Sequence, residues 1–190
     1  MVSGKTIARL FIASGVFLLV TVACKKEYYG EVGFIGDSIV ARWDIPKYFP
    51  MTIAENYGRS GSGLEYLWEN SCCMNGKTAV ILSGTNDIGT TSWNYADDFT
   101  AAIDALDAER TIVISILPRE KEGDAENVNH LIEEINGMVK DRCEAKGWEF
   151  VDCFASMQNN GHINWDFYTD GLHLSDHGYE FLSDEVKRVL

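Results

Sequence analysis

The chain is poor in basic residues: 16 Lys and Arg stand against 29 Asp and Glu in 190 residues, a formal charge of −13. Nucleic-acid binding depends on Lys and Arg neutralising phosphates, so a general nucleic-acid binder is excluded. An anionic polymer or acidic membrane surface is repelled rather than steered in. Proline is scarce, at three residues, and there is no Pro/Gly-rich linker, low-complexity tract or internal repeat, so nothing marks a second folded domain. No Cys-x-x-Cys pair occurs, which removes thioredoxin-like and zinc-ribbon readings. No apolar run reaches the ~20 residues that a membrane-spanning helix needs. What remains is ordinary for one globular domain, with 46% hydrophobic and 24% charged residues.

The first residues do not share that average. Lys5 and Arg9 precede an uncharged apolar run of 11 residues, Leu10–Val20, and then Thr21-Val22-Ala23-Cys24. Basic start, short apolar run and small residues follow the plan of an export signal, and the terminal position with basic flanks disfavours a core helix. A small residue directly before a cysteine resembles the lipobox of bacterial lipoproteins. That resemblance implies cleavage after Ala23, lipidation of Cys24, and a place in the bacterial envelope, periplasm or outer membrane. Thr21 stands where the lipobox usually has Leu, which leaves an unlipidated secretory signal open. The expected organisation is a signal peptide at 1–23, a tether at 24–29 carrying Lys25, Lys26 and Glu27, and one domain at 30–190. Loss of the 23 residues, which take Lys5 and Arg9 with them, leaves 167 residues at a charge of −15. Outside the cytoplasm disulfides are permitted. Cys72, Cys73, Cys143 and Cys153 allow three full pairings, with buried thiols as the alternative.

Short β-branched or apolar runs at Glu31–Ile35, Thr52–Glu55, Ala79–Leu82, Thr111–Leu117 and Glu149–Phe154 read as buried strands. Helical patterns lie between them. Tyr95, Phe99, Ile103 and Leu106 share one face, as do Val128, Leu131, Ile132, Ile135, Met138 and Val139. A last helix from about Asp176 aligns Tyr179, Leu182, Val186 and Leu190, with Ser175 as its N-cap. Five strands alternating with helices predict an α/β domain with a mainly parallel sheet and helices on both faces. Such sheets bind ligands beyond the carboxyl ends of their strands.

Four clusters fall at those ends or in late loops: Gly36-Asp37-Ser38, Asn56 to Gly61, Gly84-Thr85-Asn86-Asp87, and Asp170-Gly171-Leu172-His173. Each has a chemical use. Ser38 sits at a strand-to-helix turn that can expose its hydroxyl and aim its backbone N–H into the same space. A serine hydroxyl needs a base to become a nucleophile; His173 can take the proton and Asp170 can hold the imidazole in the right tautomer. Gly61 lets the backbone approach a reacting carbonyl, and the Asn86 amide can donate to an oxyanion. Each cluster alone reads as a turn or a cap. Their joint occurrence in one order at strand ends points to acyl transfer.

The ordered set Gly36-Asp37-Ser38, Gly61, Gly84-Thr85-Asn86-Asp87 and Asp170-x-x-His173 resembles the GDSL or SGNH hydrolase superfamily across the domain, with Ile39 in place of the Leu of the older motif name. The resemblance implies a three-layer α/β/α sandwich around a flavodoxin-like parallel sheet of about five strands. It also implies a serine esterase with Ser38 as nucleophile, Asp170 and His173 completing the triad, and Ser38, Gly61 and Asn86 forming the oxyanion hole, with no cofactor and no metal. The GxSxG elbow of α/β-hydrolases is absent.

Other motifs fail on context. Gly76-Lys77-Thr78 looks like the end of a P-loop, but Ser71 replaces the first Gly and a strand follows. His173 and His177 have helical metal-site spacing, yet no HExxH accompanies them. The substrate expected is a small-molecule or carbohydrate ester with a short acyl group, such as O-acetyl on a sugar, with Trp43, Trp93 and Trp165 as candidate stacking platforms whose alternative is packing. Thioesterase and lysophospholipase activities are the enzymatic rivals, and a catalytically silent glycan-binding lipoprotein is the rival of another class. A membrane is expected as a partner only through the anchor at Cys24, and the oligomeric state is left open.

Overall fold

The computed structural model describes residues 31–89 and 95–190, together with the backbone of Ala8–Arg9 and Val20–Thr21, which pair antiparallel. Apart from those four residues, the expected signal segment, Cys24 and the tether lie outside the described residues, as does Trp93.

Five strands build the main sheet: β1 (Val32–Gly36), β2 (Ala54–Gly58), β3 (Thr78–Leu82), β4 (Arg110–Ile114) and β5 (Glu149–Val151). They lie in the order β2-β1-β3-β4-β5, and every pair is parallel. Six α-helices accompany them: α1 (Ser38–Ala41), α2 (Ile45–Tyr48), α3 (Leu64–Glu69), α4 (Tyr95–Asp104), α5 (Val128–Lys146) and α6 (Asp176–Lys187). This is the expected α/β sandwich in the flavodoxin-like order. The order reverses between β1 and β3, which opens a crevice at the carboxyl ends of those strands.

Side chains alternate across a strand, so each central strand feeds two cores. Val32, Phe34, Val80, Leu82, Ile112 and Ile114 face one side, where Trp43, Tyr179, Leu182 and Val186 cover them. Ile35, Ala79, Ile81 and Val113 face the other, under Phe99, Ile103, Ile132, Ile135 and Val139. Burying one such large aliphatic side chain contributes about 1.5–3 kcal/mol. α6 starts as expected: Ser175 Oγ accepts from the Gly178 N–H at 3.2 Å and caps it, and Tyr179, Leu182 and Val186 are buried, whereas Leu190 of the expected stripe lies beyond the helix end at Lys187. On α5 the expected apolar face is narrower than its pattern, because Met138 is exposed and Asn136 is buried instead.

Three strands, β2, β4 and β5, depart from expectation by two or more residues at an end, and the other two by a single residue. β2 begins two residues later than Thr52, and Ile53, which suggested a buried strand, is 47% exposed. Its polar Asn56 is structural: Nδ2 donates to the carbonyls of Val40 at 2.8 Å and Trp43 at 3.1 Å, tying this edge strand to the end of α1. β4 ends at Ile114 and not at Leu117, because the Asn136 amide takes both backbone groups of Ile116, at 2.8 and 2.9 Å. β5 stops at Val151 and not at Phe154, since the Cys153 N–H donates to Ser115 Oγ at 3.0 Å in place of a ladder partner.

All four described cysteines are free thiols. Cys143 and Cys153 are buried in the two cores on opposite faces of the sheet, which separates them. Burial pushes their thiols up, to about 11 and about 12.

Candidate active site

The turn that carries Ser38 begins where β1 meets β3. Gly36 passes so close to Leu82 that a Cβ would lie 1.8 Å from the Leu82 carbonyl oxygen, so only glycine allows the strand to end here. Asp37 caps the one-turn helix α1, its Oδ1 accepting from the Ile39 N–H at 2.9 Å. Ser38 follows at the first helical position, buried at the crevice floor.

From the other end of the chain, the segment between a 3₁₀ turn at Trp165–Phe167 and α6 carries Asp170 and His173. His173 Nε2 lies 3.1 Å from Ser38 Oγ across 135 residues of sequence. His173 Nδ1 lies 2.7 Å from Asp170 Oδ2. Asp170 Oδ1 also accepts the backbone N–H groups of His173 at 2.7 Å and Leu172 at 3.1 Å. Desolvation draws the Asp170 carboxyl upward, but these hydrogen bonds from His173 and Leu172 outweigh it and hold the group at about 2. Asp170 is therefore ionised at neutral pH. An ionised carboxylate can only accept, so Nδ1 carries the ring proton and Nε2 is left to accept from the Ser38 hydroxyl.

The second side of the crevice joins the loops after β2 and β3. Gly61 occupies a left-handed turn, φ +77°, directly before Ser62. Ser62 Oγ donates to the Arg59 carbonyl at 2.8 Å, and Asn86 Nδ2 donates to the Ser62 carbonyl at 2.8 Å. One Asn86 N–H thus anchors the Gly61 turn, and the amide of this exposed residue has a second N–H to donate. The structure links Ser38, His173 and Asp170 directly, and links Asn86 to the Gly61 turn through Ser62.

Next to Ser38 in the chain, burial pushes the Asp37 carboxyl up to about 7, with the Ile39 N–H pulling it down and the neighbouring Asp87 charge pushing it further up. Asp37 Oδ2 and Ser83 Oγ are buried there without a hydrogen-bond partner among the described residues.

Trp43 is not a sugar platform: it is buried against Phe34 and Phe49, and its indole N–H donates to Ser183 Oγ at 2.9 Å. Trp165 is 56% exposed, five residues before Asp170. His177 packs its ring on Phe167, centroids 4.9 Å apart, and does not join His173 in a pair. Among the described residues no group of three or more His, Cys, Asp or Glu is placed to hold a metal ion. Sequence reasoning missed Ser62, Arg119 and Tyr168, which brace the site. None carries a local signal, because each acts on residues more than 20 positions away or through a loop with no regular period.

A flavodoxin-like sheet with this hydrogen-bonded chain at its carboxyl edge places the protein among hydrolases that act on ester bonds. More narrowly, the chain belongs to the GDSL-like lipase/acylhydrolase family, whose model matches residues 34–181. Among solved structures it is similar to a Streptococcus pneumonia protein provisionally described as a platelet activating factor, at 26% identity and a TM-score of 0.71 over 87% of this chain and 86% of that one. It also shares its fold with a GDSL-like lipase from Bacteroides thetaiotaomicron, at 21% identity and TM-score 0.67 over 85% and 87% of the chains. An acetyl xylan esterase, AlAXEase, matches at 16% identity and TM-score 0.68 over 84% and 99%. Among curated proteins it is 24% identical over 171 residues to an N-acylneuraminate cytidylyltransferase of Escherichia coli O18:K1:H7. The match covers 84% of this chain and 40% of that protein, whose name describes a much longer polypeptide.

Proposed function

We propose that the chain hydrolyses short-acyl carboxylic esters through a covalent intermediate on Ser38. The hydrogen-bonded chain Ser38–His173–Asp170 carries this reading. Ser38 Oγ attacks the ester carbonyl carbon while its proton passes to His173 Nε2. The ionised Asp170 stabilises the imidazolium that forms. Charge on the carbonyl oxygen meets the backbone N–H groups of Ser38 and Gly61 and the Asn86 amide. The intermediate collapses, the bond to the alcohol breaks, and His173 returns its proton to the leaving oxygen. Water then attacks the acyl carbon, again losing its proton to Nε2, and the acid leaves as Ser38 regains its hydrogen.

The substrate proposed is an O-acetylated carbohydrate. Three observations support it: the exposed Trp165 beside the Asp170–His173 loop, the similarity in fold to an acetyl xylan esterase, and an acidic chain that disfavours anionic substrates. Thioesterase and lysophospholipase activities are the competing assignments. Export, with a lipid anchor at Cys24, is proposed from the N-terminal pattern. The decisive experiment compares acetylated oligosaccharide, nitrophenyl acetate and long-chain acyl substrates for the parent and Ser38→Ala. Acetyl turnover that vanishes in the variant supports the reading, and unchanged turnover in Ser38→Ala sinks it.

A further inference from the structure

Pro118, Arg119 and Glu120 leave β4 and cross both loops that carry the chemistry. The Pro118 carbonyl accepts from the Tyr168 hydroxyl at 2.7 Å, two residues before Asp170. The Glu120 N–H donates to the Gly171 carbonyl at 2.8 Å, between Asp170 and His173. The approach is close enough that a Cβ on Gly171 would lie 2.4 Å from the Glu120 carbonyl oxygen. In the other direction, Arg119 Nη1 donates to the carbonyl of Thr85, the residue before Asn86, and lies 3.3 Å from Thr85 Oγ1. Its second arm, Nη2, meets Asp124 Oδ1 at 2.9 Å, and the two side chains are only 13% and 12% exposed. Asn129 fixes the Arg119 backbone at both its N–H and its carbonyl, each at 2.9 Å.

A buried ion pair adds little to stability, since desolvating two charges offsets their attraction. What the guanidinium supplies is a planar fork that reaches Thr85 and Asp124 at once, which the single ammonium of lysine does not reproduce. We propose that Arg119 is a positioning residue for ester hydrolysis. It fixes the Thr85–Asn86 peptide so that the remaining Asn86 N–H points to where the oxyanion forms, and the Pro118–Glu120 strut keeps that donor in register with His173 and Ser38. Arg119 touches neither substrate nor reacting atoms. Ser62 holds the Asn86 amide from the other side, so loss of Arg119 leaves the donor with one anchor and a free hinge. Displacement of such a group by ~1 Å is enough to slow catalysis substantially. The proposal rests on the reading of Asn86 as an oxyanion donor.

Arg119→Gln and Arg119→Lys test it in the full chain, with two readouts: kcat and KM on nitrophenyl acetate per folded molecule, and hydrogen exchange at the Asn86 amides by NMR. The expected result is a kcat lower by about 10–100-fold in both variants with KM nearly unchanged, since only transition-state contacts are disturbed. Exchange at Asn86 speeds up while amides of α6 keep the parental rate. Asp124→Asn shows a smaller loss of the same kind. A lower melting temperature with faster exchange throughout and parental kcat overturns the proposal, because that is what a merely structural pair produces. Parental kcat in Arg119→Lys overturns it as well. If the parent fails to cleave the ester but Asn86 still exchanges faster in the variants, Arg119 does hold Asn86 in place and it is the esterase reading that falls. An active parent with unchanged Asn86 exchange and kcat in the variants gives the reverse.

Discussion

The two edges of the sheet are built from different materials. At the carboxyl edge, loops after β1, β2, β3 and β4 are locked by side chain–backbone hydrogen bonds, and polar groups such as Asp37 and Ser83 are buried beneath the surface. At the amino edge, a cavity of about 230 Å³ is lined by Tyr48, Phe49, Pro50, Met51 and Leu190, with Met51 and Ile53 exposed beside it. There Arg110 secures the chain end, donating to the carbonyls of Val189 and Leu190. The amino edge is packed for stability. The carboxyl edge accepts desolvated polar groups, which cost free energy, in exchange for a fixed geometry. Apolar surface by itself is therefore a poor guide to function in this molecule.

Substitutions can break that contrast, and the largest effect is expected at the proton relay. Asp170→Asn keeps the shape of the loop but removes the carboxylate that sets the imidazole tautomer, and kcat should fall by about 10⁴-fold while the melting temperature changes little. Turnover near the parental rate would detach the relay from catalysis. Asn86→Ala is next: with one oxyanion donor gone, kcat on nitrophenyl acetate should drop by ~10²–10³. The core between the two edges responds in stability instead. Leu182→Ala empties a fully buried site on α6 and should cost about 2–5 kcal/mol in denaturant unfolding, with kcat of the folded fraction preserved.

Asp37 tests whether the carboxyl edge sacrifices stability. Its carboxyl is raised by burial to about 7, so it contributes stability that is complete below the ordinary value of 3.8 and is lost as pH rises through 7. Asp37→Asn can still cap α1 and carries no charge. It should be more stable than the parent by about 2–4 kcal/mol at pH 8, a gap that closes toward pH 4. Equal unfolding free energies at both pH values would show that the buried carboxyl carries no such cost. Smallest of all, Met51→Ala at the amino-edge cavity should leave kcat/KM within about twofold, as for a surface change away from the chemistry.

Much of this architecture is legible in the sequence. The central strands read correctly because burial on both faces makes them continuous apolar runs, and α6 because Ser175 and the Tyr179–Leu182–Val186 stripe are local signals. Ser38, Asp170 and His173, which the structure brings into hydrogen-bond reach, stand out in sequence because each sits in a short motif at a strand end or helix entry. What escaped depends on distant partners. The expected second strand stops at Glu55, three residues short of Gly58, because Asn56 looks like a turn former until Val40 and Trp43 offer their carbonyls. Ile116 looked like strand until Asn136, 20 residues on, claimed its backbone. Arg119 carried no signal at all, since an arginine in an acidic loop reads as a surface residue until Thr85 is seen beneath it.

The central claim is that Ser38 is activated by His173. A fluorophosphonate probe tests it directly, because such probes bond only to a serine held beside a working base. Peptide mapping of the labelled full chain should place one adduct on Ser38, absent from Ser38→Ala and formed far more slowly in His173→Ala. No adduct on the folded parent, or an adduct at Ser38 that forms equally fast without His173, would contradict the account.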